Sequence, residues 1–224
     1  MAKTIHHSED NTKSFFGKED HLEVAQARSF SDMIFELLSE QKPTPEQSKL
    51  FELILNLSID HGPDTPSAVA TIAATKEGKT ISQSVAAGLE QITDRHGGAV
   101  EPCMRFLYEV KSAEGRVQSL IKEYLAQGKL ISGFGHRIYT VDPRAQLILA
   151  SVEKQSPSSF GELAQEIEKE LKEQKGKALP LNIDGAIAVV LCTWGWEPRL
   201  ANAVFIIARV PGLCGQYLNT ATSS

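Results

Sequence analysis

Apolar positions recur with a helical period along nearly the whole chain. Leu50, Leu53, Ile54 and Leu57 form one stripe, the spacing of an amphipathic helix. Just upstream, Thr44-Pro45-Glu46-Gln47 supplies a Thr N-cap, a Pro at the first helical position and a Gln three residues on, which predicts a helix from there to about Asp60. Val117, Leu120, Ile121, Tyr124 and Leu125 repeat the pattern, with Gly128 as its stop. Asp142-Pro143 starts another helix, and Ser159 with Glu162 caps a charged one ending near Gly176. Residues 66–76, 81–93 and 198–210 also fit helices.

The only strand candidate is the short run Leu130 to Ser132, so the fold class predicted is all-α. Small residues dominate 68–74 and 85–89, which lets helices approach closely. The helices over 185–192 and 201–208 are apolar on most sides and must be buried centrally or between subunits; a homodimer is the expectation. Residues 1–43 read as a partly flexible N-terminal extension. Residues 44–224 read as one helical domain whose linker-like Ser156-Pro157-Ser158-Ser159 suggests a small lobe over about 130–178 beside a larger body.

Composition narrows the class further. The chain has 224 residues, 42% hydrophobic and 23% charged, enough to bury a sizeable core. Its formal charge of −5 argues against nucleic acid or an anionic membrane as the main partner, so an anionic ligand must be held by local arginines. No apolar signal segment opens the sequence, and the longest apolar uncharged run, Gly185 to Trp196, is too short for a bilayer that needs about 20 residues. Cys103, Cys192 and Cys214 are well separated and lack metal-like spacing, consistent with reduced thiols and a cytoplasmic location.

Candidate chemistry lies where titratable groups meet glycine or apolar sequence. His6, His7 and His21 sit in the polar N-terminal segment and read as solvated surface. The other three occur in Asp60-His61-Gly62-Pro63, Arg95-His96-Gly97-Gly98 and Gly133-Phe134-Gly135-His136-Arg137. Glycine there lets a ligand approach the backbone, although a histidine capping a helix C-terminus is the plainer explanation for any one of them. Arg209 interrupts an apolar run; such a guanidinium serves either an internal ion pair or an anionic substrate. Asp184 is either the N-cap of the apolar helix after it or a carboxylate whose pKa burial raises toward that of a useful base. With Arg95, Arg137 and Arg144 added, this set suits proton abstraction next to a carbonyl on a polycarboxylate. A metallophosphohydrolase built on Asp60-His61 is the weaker fit, because the remaining histidines lack ligand spacing.

Gly133-Phe134-Gly135-His136-Arg137-Ile138-Tyr139 with Asp142-Pro143-Arg144-Ala145 resembles the signature of citrate synthases. The blocks around His61, His96, Asp184 and Arg209 fall in the same order as in that family. Asp60-His61-Gly62-Pro63 and Asn182-Ile183-Asp184-Gly185-Ala186-Ile187 are most similar to the citryl-CoA lyase module of ATP-citrate lyase. The likeness covers roughly residues 50–218. It implies Asp184 as the base that deprotonates the methyl group of acetyl-CoA, His96 as the imidazole holding the enolate oxygen, and His136 as the group that polarises and protonates the oxaloacetate carbonyl. His61, Arg144 and Arg209 would bind substrate carboxylates, and Arg137 substrate or CoA phosphate. Lys129, Leu130, Ile131, Gly133, Phe134 and Gly135 would lie along coenzyme A. The resemblance implies no metal and no cofactor beyond the thioester.

His96 agrees with citrate synthases, whereas ATP-citrate lyase modules carry an aromatic residue there. The family segment that brings an arginine across the dimer would lie beyond Ser224, and the N-terminal helical region of full-length citrate synthases has no counterpart, so the likeness is to a minimal version of the fold. The activity expected is condensation of acetyl-CoA with oxaloacetate. Cleavage of citryl-CoA to acetyl-CoA and oxaloacetate, 2-methylcitrate synthesis, and a non-catalytic helical oligomer are the alternatives.

Overall fold

The computed structural model describes residues 3–93, 96–113, 115–136, 139–155 and 159–222. The chain forms two compact units, Met1–Leu53 and Ile54–Ser224.

In the first unit, strands β1 (Ile5–His7), β2 (Ser14–Phe16) and β3 (Glu19–Asp20) make an antiparallel sheet, followed by helices α1 (His21–Ala27) and α2 (Phe30–Ser39). This is the main departure from the all-helical pattern, in residues expected to be an extension. The β1–β2 turn is closed by Asp10 Oδ1, which accepts from the Thr12 N–H at 3.1 Å, with Asn11 at φ 57°, a conformation Asn tolerates. Phe16, Val24, Phe35, Leu38 and Phe51 form the core. Within it, Glu36 is only 1% exposed and accepts from Lys3 Nζ (3.0 Å) and Arg28 Nη1 (2.8 Å).

The expected capping box opens α3 (Pro45–Ser58): Gln47 N–H donates to Thr44 Oγ1 and Thr44 N–H to Gln47 Oε1. The boundary between the units falls inside this helix. The second unit continues with α4 (Pro66–Lys76), α5 (Ile81–Leu89), α6 (Val100–Ser112), α7 (Val117–Ala126), α8 (Pro143–Gln155), α9 (Ser159–Lys175), α10 (Ile183–Thr193), a 3-10 turn at Pro198–Leu200, and α11 (Ala201–Ala221). The strand candidate at 130–132 is turn and coil. The internal linker 156–158 lies outside the described residues. No helix among the described residues is long and apolar enough to cross a membrane.

The almost wholly apolar α10 runs through the centre, with every residue from Gly185 to Cys192 buried and α6, α8 and α9 packed around it. Helices α4, α5 and α11 form the second cluster. There the small residues do what their size predicts: a Cβ on Gly88 of α5 would fall 2.2 Å from Thr71 Oγ1 and 2.8 Å from the Ser67 carbonyl of α4, so only glycine permits this spacing.

Two boundaries differ from the sequence pattern. Helix α5 ends at Leu89, where the Gln91 and Ile92 N–H groups turn back to Gly88 and Leu89. Helix α11 does not stop at Val210 but carries Pro211 inside it. Proline removes one backbone hydrogen bond, yet the burial of Arg209 on one side of it and Leu213 on the other holds the helix together. The adjacent Gly212 lets α11 touch the chain leaving α3, because a Cβ there would lie 2.0 Å from the Ile59 carbonyl.

Candidate active site

The glycine-rich loop after α7 is a docking device. Gly133 has φ +86°, a conformation that side chains resist. Its carbonyl accepts the Asn182 N–H (3.0 Å), Gly135 N–H donates to the Pro180 carbonyl (2.7 Å), and Asn182 Nδ2 donates to the Gly135 carbonyl (2.9 Å). The chain before α10 is thereby stitched to the loop that ends in His136. The approach leaves no room for a Cβ: at Gly133 it would lie 2.4 Å from Cys103 Sγ, and at Gly185 it would lie 2.3 Å from the Gly133 carbonyl.

Asn182, not Asp184, caps α10, accepting from the Gly185 N–H at 3.1 Å. Asp184 sits in the first turn, released from capping, and its Oδ1 is buried and accepts no hydrogen bond among the described residues. Burial pushes this carboxyl up to about 6; the charges of Arg209 and Arg144 oppose the rise and Asp142 adds to it.

Three imidazoles share a cavity with it. His96 Nε2 lies 2.9 Å from Ser67 Oγ and 3.4 Å from the Ser67 N–H in the first turn of α4. A backbone N–H can only donate, so Nε2 bears the lone pair and the ring proton of a neutral His96 belongs on Nδ1. For His136 both ring nitrogens face donors: Nδ1 accepts from the Tyr139 N–H at 3.0 Å, and Nε2 faces a guanidinium that can only donate. His61 Nδ1 accepts from Arg144 Nη1 at 3.1 Å. Burial first, then the guanidiniums of Arg144 and Arg209, hold His61 below the ordinary imidazole value.

Arg144 is fixed by Asp142, which is fully buried and takes its Nε (3.0 Å), Nη2 (2.8 Å) and backbone N–H (3.0 Å). Its Nη2 also lies 3.3 Å from His136 Nε2. Burial works against ionisation of Asp142, but the Arg144 contacts prevail and hold its carboxyl below the usual value. Arg209 is 4% exposed, donates Nε to the Ser58 carbonyl at 2.9 Å, and lies 4.8 Å from the centre of the Phe205 ring. No carboxylate among the described residues comes within ion-pair distance of it, although Asp60 and Asp184 favour its charge from farther off.

His61, His96, His136, Arg144, Asp184 and Arg209 therefore line one cavity of about 180 Å³, closed by Gly97, Gly135, Asn182, Ile183 and Phe205. That is smaller than the roughly 300–1,000 Å³ of a drug-sized site, a volume for a small polycarboxylate and the reacting end of a thioester. Arg137 and Arg95 lie outside the described residues. Of the residues expected along coenzyme A, only Gly135 lines the cavity. Ile131 and Gly133 are buried, while Lys129 and the 72% exposed Leu130 are on the surface near Tyr124, with Phe134 between these extremes. Sequence patterning missed Phe205, Asn182 and Ser67, which look like ordinary helix and cap residues. No group of three or more possible metal ligands occurs among the described residues.

The match to "Citrate synthase, C-terminal domain" extends over residues 1–224. Human ATP-citrate synthase is 31% identical over 202 residues, covering 82% of this chain and 18% of that protein. The citrate synthase of Deinococcus radiodurans is 29% identical over 81% of this chain and 50% of that one. The chain thus spans between about a fifth and a half of the length of these curated relatives. The citryl-CoA lyase of Hydrogenobacter thermophilus superposes with a TM-score of 0.90 at 33% identity, covering all of this chain and 88% of the other. The Thermoplasma acidophilum citrate synthase, solved with carboxymethyl coenzyme A and oxaloacetate, shares the fold at a TM-score of 0.72. With the match running from the first residue to the last, and Asp184, His96 and His136 on one cavity, the chain belongs to the citrate synthase family.

Proposed function

We propose that this protein makes and breaks the carbon–carbon bond joining an acetyl-CoA unit to oxaloacetate, and that it works as a citryl-CoA lyase. The observation that carries the reading is the Asp184 carboxyl: buried without a hydrogen-bond partner at Oδ1 among the described residues, raised to about 6, and in one cavity with three imidazoles and two guanidiniums. The cleaving direction is favoured by the likeness over nearly the whole length of a citryl-CoA lyase.

In the condensing sense, Asp184 takes a proton from the thioester methyl group and the His96 Nδ1–H holds the enolate oxygen. The enolate carbon attacks the ketone, whose oxygen takes a proton from His136. Cleavage is the same sequence reversed: the citryl hydroxyl returns its proton to His136, the bond breaks to an enolate, and protonated Asp184 delivers a proton to carbon. A carboxyl near 6 exists in both forms around neutrality, as a group that works in both directions requires. His61, Arg144 and Arg209 hold the carboxylates, and no further cofactor is needed. Coenzyme A is expected to run past Lys129 and Leu130, with Arg137 reaching substrate or its phosphates. Exposed Val69 on α4 and Ile206 and Leu218 on α11 support a homodimer, and the cysteine usage a cytoplasmic location.

The test supplies citryl-CoA to purified protein and follows oxaloacetate by coupled NADH oxidation with malate dehydrogenase. Oxaloacetate should form, and Asp184→Asn should slow it by about 10²–10⁴-fold. No oxaloacetate, or an unimpaired variant, removes the assignment. Thiol release from acetyl-CoA plus oxaloacetate would move it to the synthase reading, which the histidine at position 96 favours.

A further inference from the structure

The buried carboxylate of Asp142 is not on the cavity wall, yet it joins two parts of the site from unrelated segments. Three of its contacts go to Arg144, two residues on. The fourth goes to the Ile183 N–H at 3.2 Å, the first residue of α10 and the neighbour of Asp184. One carboxylate therefore serves a guanidinium and the first N–H of a helix together, and an anion is favoured at both. Arg144 in turn touches His61 and lies against His136.

We propose that Asp142 is a positioning residue that locks the carboxylate-binding Arg144 and the turn carrying Asp184 into one unit, so that the place of the substrate carboxylate and the basicity of Asp184 are set together. The inference rests on the reading of Asp184 as the general base. The groups facing Asp184 are Arg209 from α11, Arg144 and Asp142 at the start of α8, Cys103 from α6, and His61, His96 and His136 around the cavity. Removing the charge of Asp142 while leaving both guanidiniums tips this balance toward the ionised base. Removing Arg144 while leaving Asp142 tips it the other way.

The experiment titrates the Asp184 carboxyl by ¹³C NMR in protein labelled at aspartate, the resonance being assigned by its loss in Asp184→Asn, and measures KM and kcat for citryl-CoA in parallel. Asp142→Asn should lower the Asp184 midpoint and raise KM about tenfold or more. Asp142→Glu restores the charge, so the midpoint returns toward the wild-type value while KM stays raised, because the longer side chain cannot satisfy Arg144 and Ile183 together. If Asp142→Asn does not fold, Arg144→Gln carries the test and should raise the midpoint. A residue that merely supported the fold would leave the midpoint in place; an unmoved midpoint in folded Asp142→Asn, or in Arg144→Gln, overturns the proposal. The NMR titration needs no turnover, so it separates failure here from failure of the lyase reading, which the wild-type oxaloacetate assay tests alone.

Discussion

Replacing Asp184 by asparagine should make the protein more stable while removing its chemistry, with a gain that depends on pH in a defined way. A carboxyl raised from 3.8 to about 6 is protonated in both folded and unfolded chains below about pH 3.8, so nothing is lost there. Between 3.8 and 6 the unfolded chain gives up its proton first, and native stability falls. Above 6 the full cost of holding the charged form applies, about 3 kcal/mol by the usual conversion. Asparagine has no charge to desolvate. Whatever its amide costs or gains is the same at every pH, so the difference between the two proteins should grow by about 2.4 kcal/mol from pH 4 to pH 8.

Urea unfolding followed by tryptophan fluorescence measures this directly. The chain has two tryptophans, Trp194 and Trp196, which follow immediately on α10, the helix that carries Asp184. The signal therefore reports the unit in question. The midpoint of Asp184→Asn should exceed that of the parent at pH 8 and approach it at pH 4, with an unchanged slope. A stability difference equal at both pH values would mean that Asp184 is not held at a raised pKa, and the argument for it as the base would fail with it.

Other consequences follow from the same packing. Gly133→Ala combines a positive φ with a Cβ 2.4 Å from Cys103 Sγ, so denaturant unfolding should show a loss of roughly 2–5 kcal/mol; Cys103→Ala in the same chain should return the steric part only. Phe205→Leu widens the wall against Gly97, where a Cβ would fall 2.3 Å from the aromatic ring, and should shift the acetyl-to-propionyl preference by about 10-fold or more in kcat/KM for the condensing reaction. Arg209→Lys keeps the charge but loses the planar group between the Ser58 carbonyl and the Phe205 ring, so KM for citryl-CoA should rise by about tenfold or more with the fold intact by circular dichroism.

The helices were legible where an amphipathic stripe met a cap or stop signal: α3 starts at its Thr44-Pro45 cap, and α7 and α9 end within two residues of Gly128 and Gly176. Strands of two or three residues fall below what a period of two can reveal, and β1–β3 are defined by the turns at Asn11 and Gly17. The helical content of 201–210 was plain; its continuation through Pro211 depends on burial against other helices, which no local rule contains. In the site, the glycine-flanked histidines stood out, but their partners did not. Asp142 reads as a helix start, and nothing in its neighbourhood announces that Ile183, 41 residues on, donates to it. Phe205 is one apolar position among many in α11, and its approach to Gly97 is more remote still in sequence.

The residues that identified the site share a property: each breaks the pattern that folds its own segment. Asp184 puts a carboxyl at the head of the most apolar helix, although Asn182 already caps it. Arg209 puts a guanidinium in the middle of an apolar run, with no carboxylate paired to it among the described residues. Neither placement helps folding, since burying an ionised group costs more than its local contacts return. Such violations persist where they serve a ligand, and here the two of opposite sign open on the same cavity. In the proposed reaction, a substrate carboxylate would supply Arg209 with an anion at ion-pair distance. In that reaction, too, a thioester methyl group would supply the proton that Asp184 exchanges. On that reading, the folding cost carried by each residue alone is what lets the pair bind and turn over one substrate together.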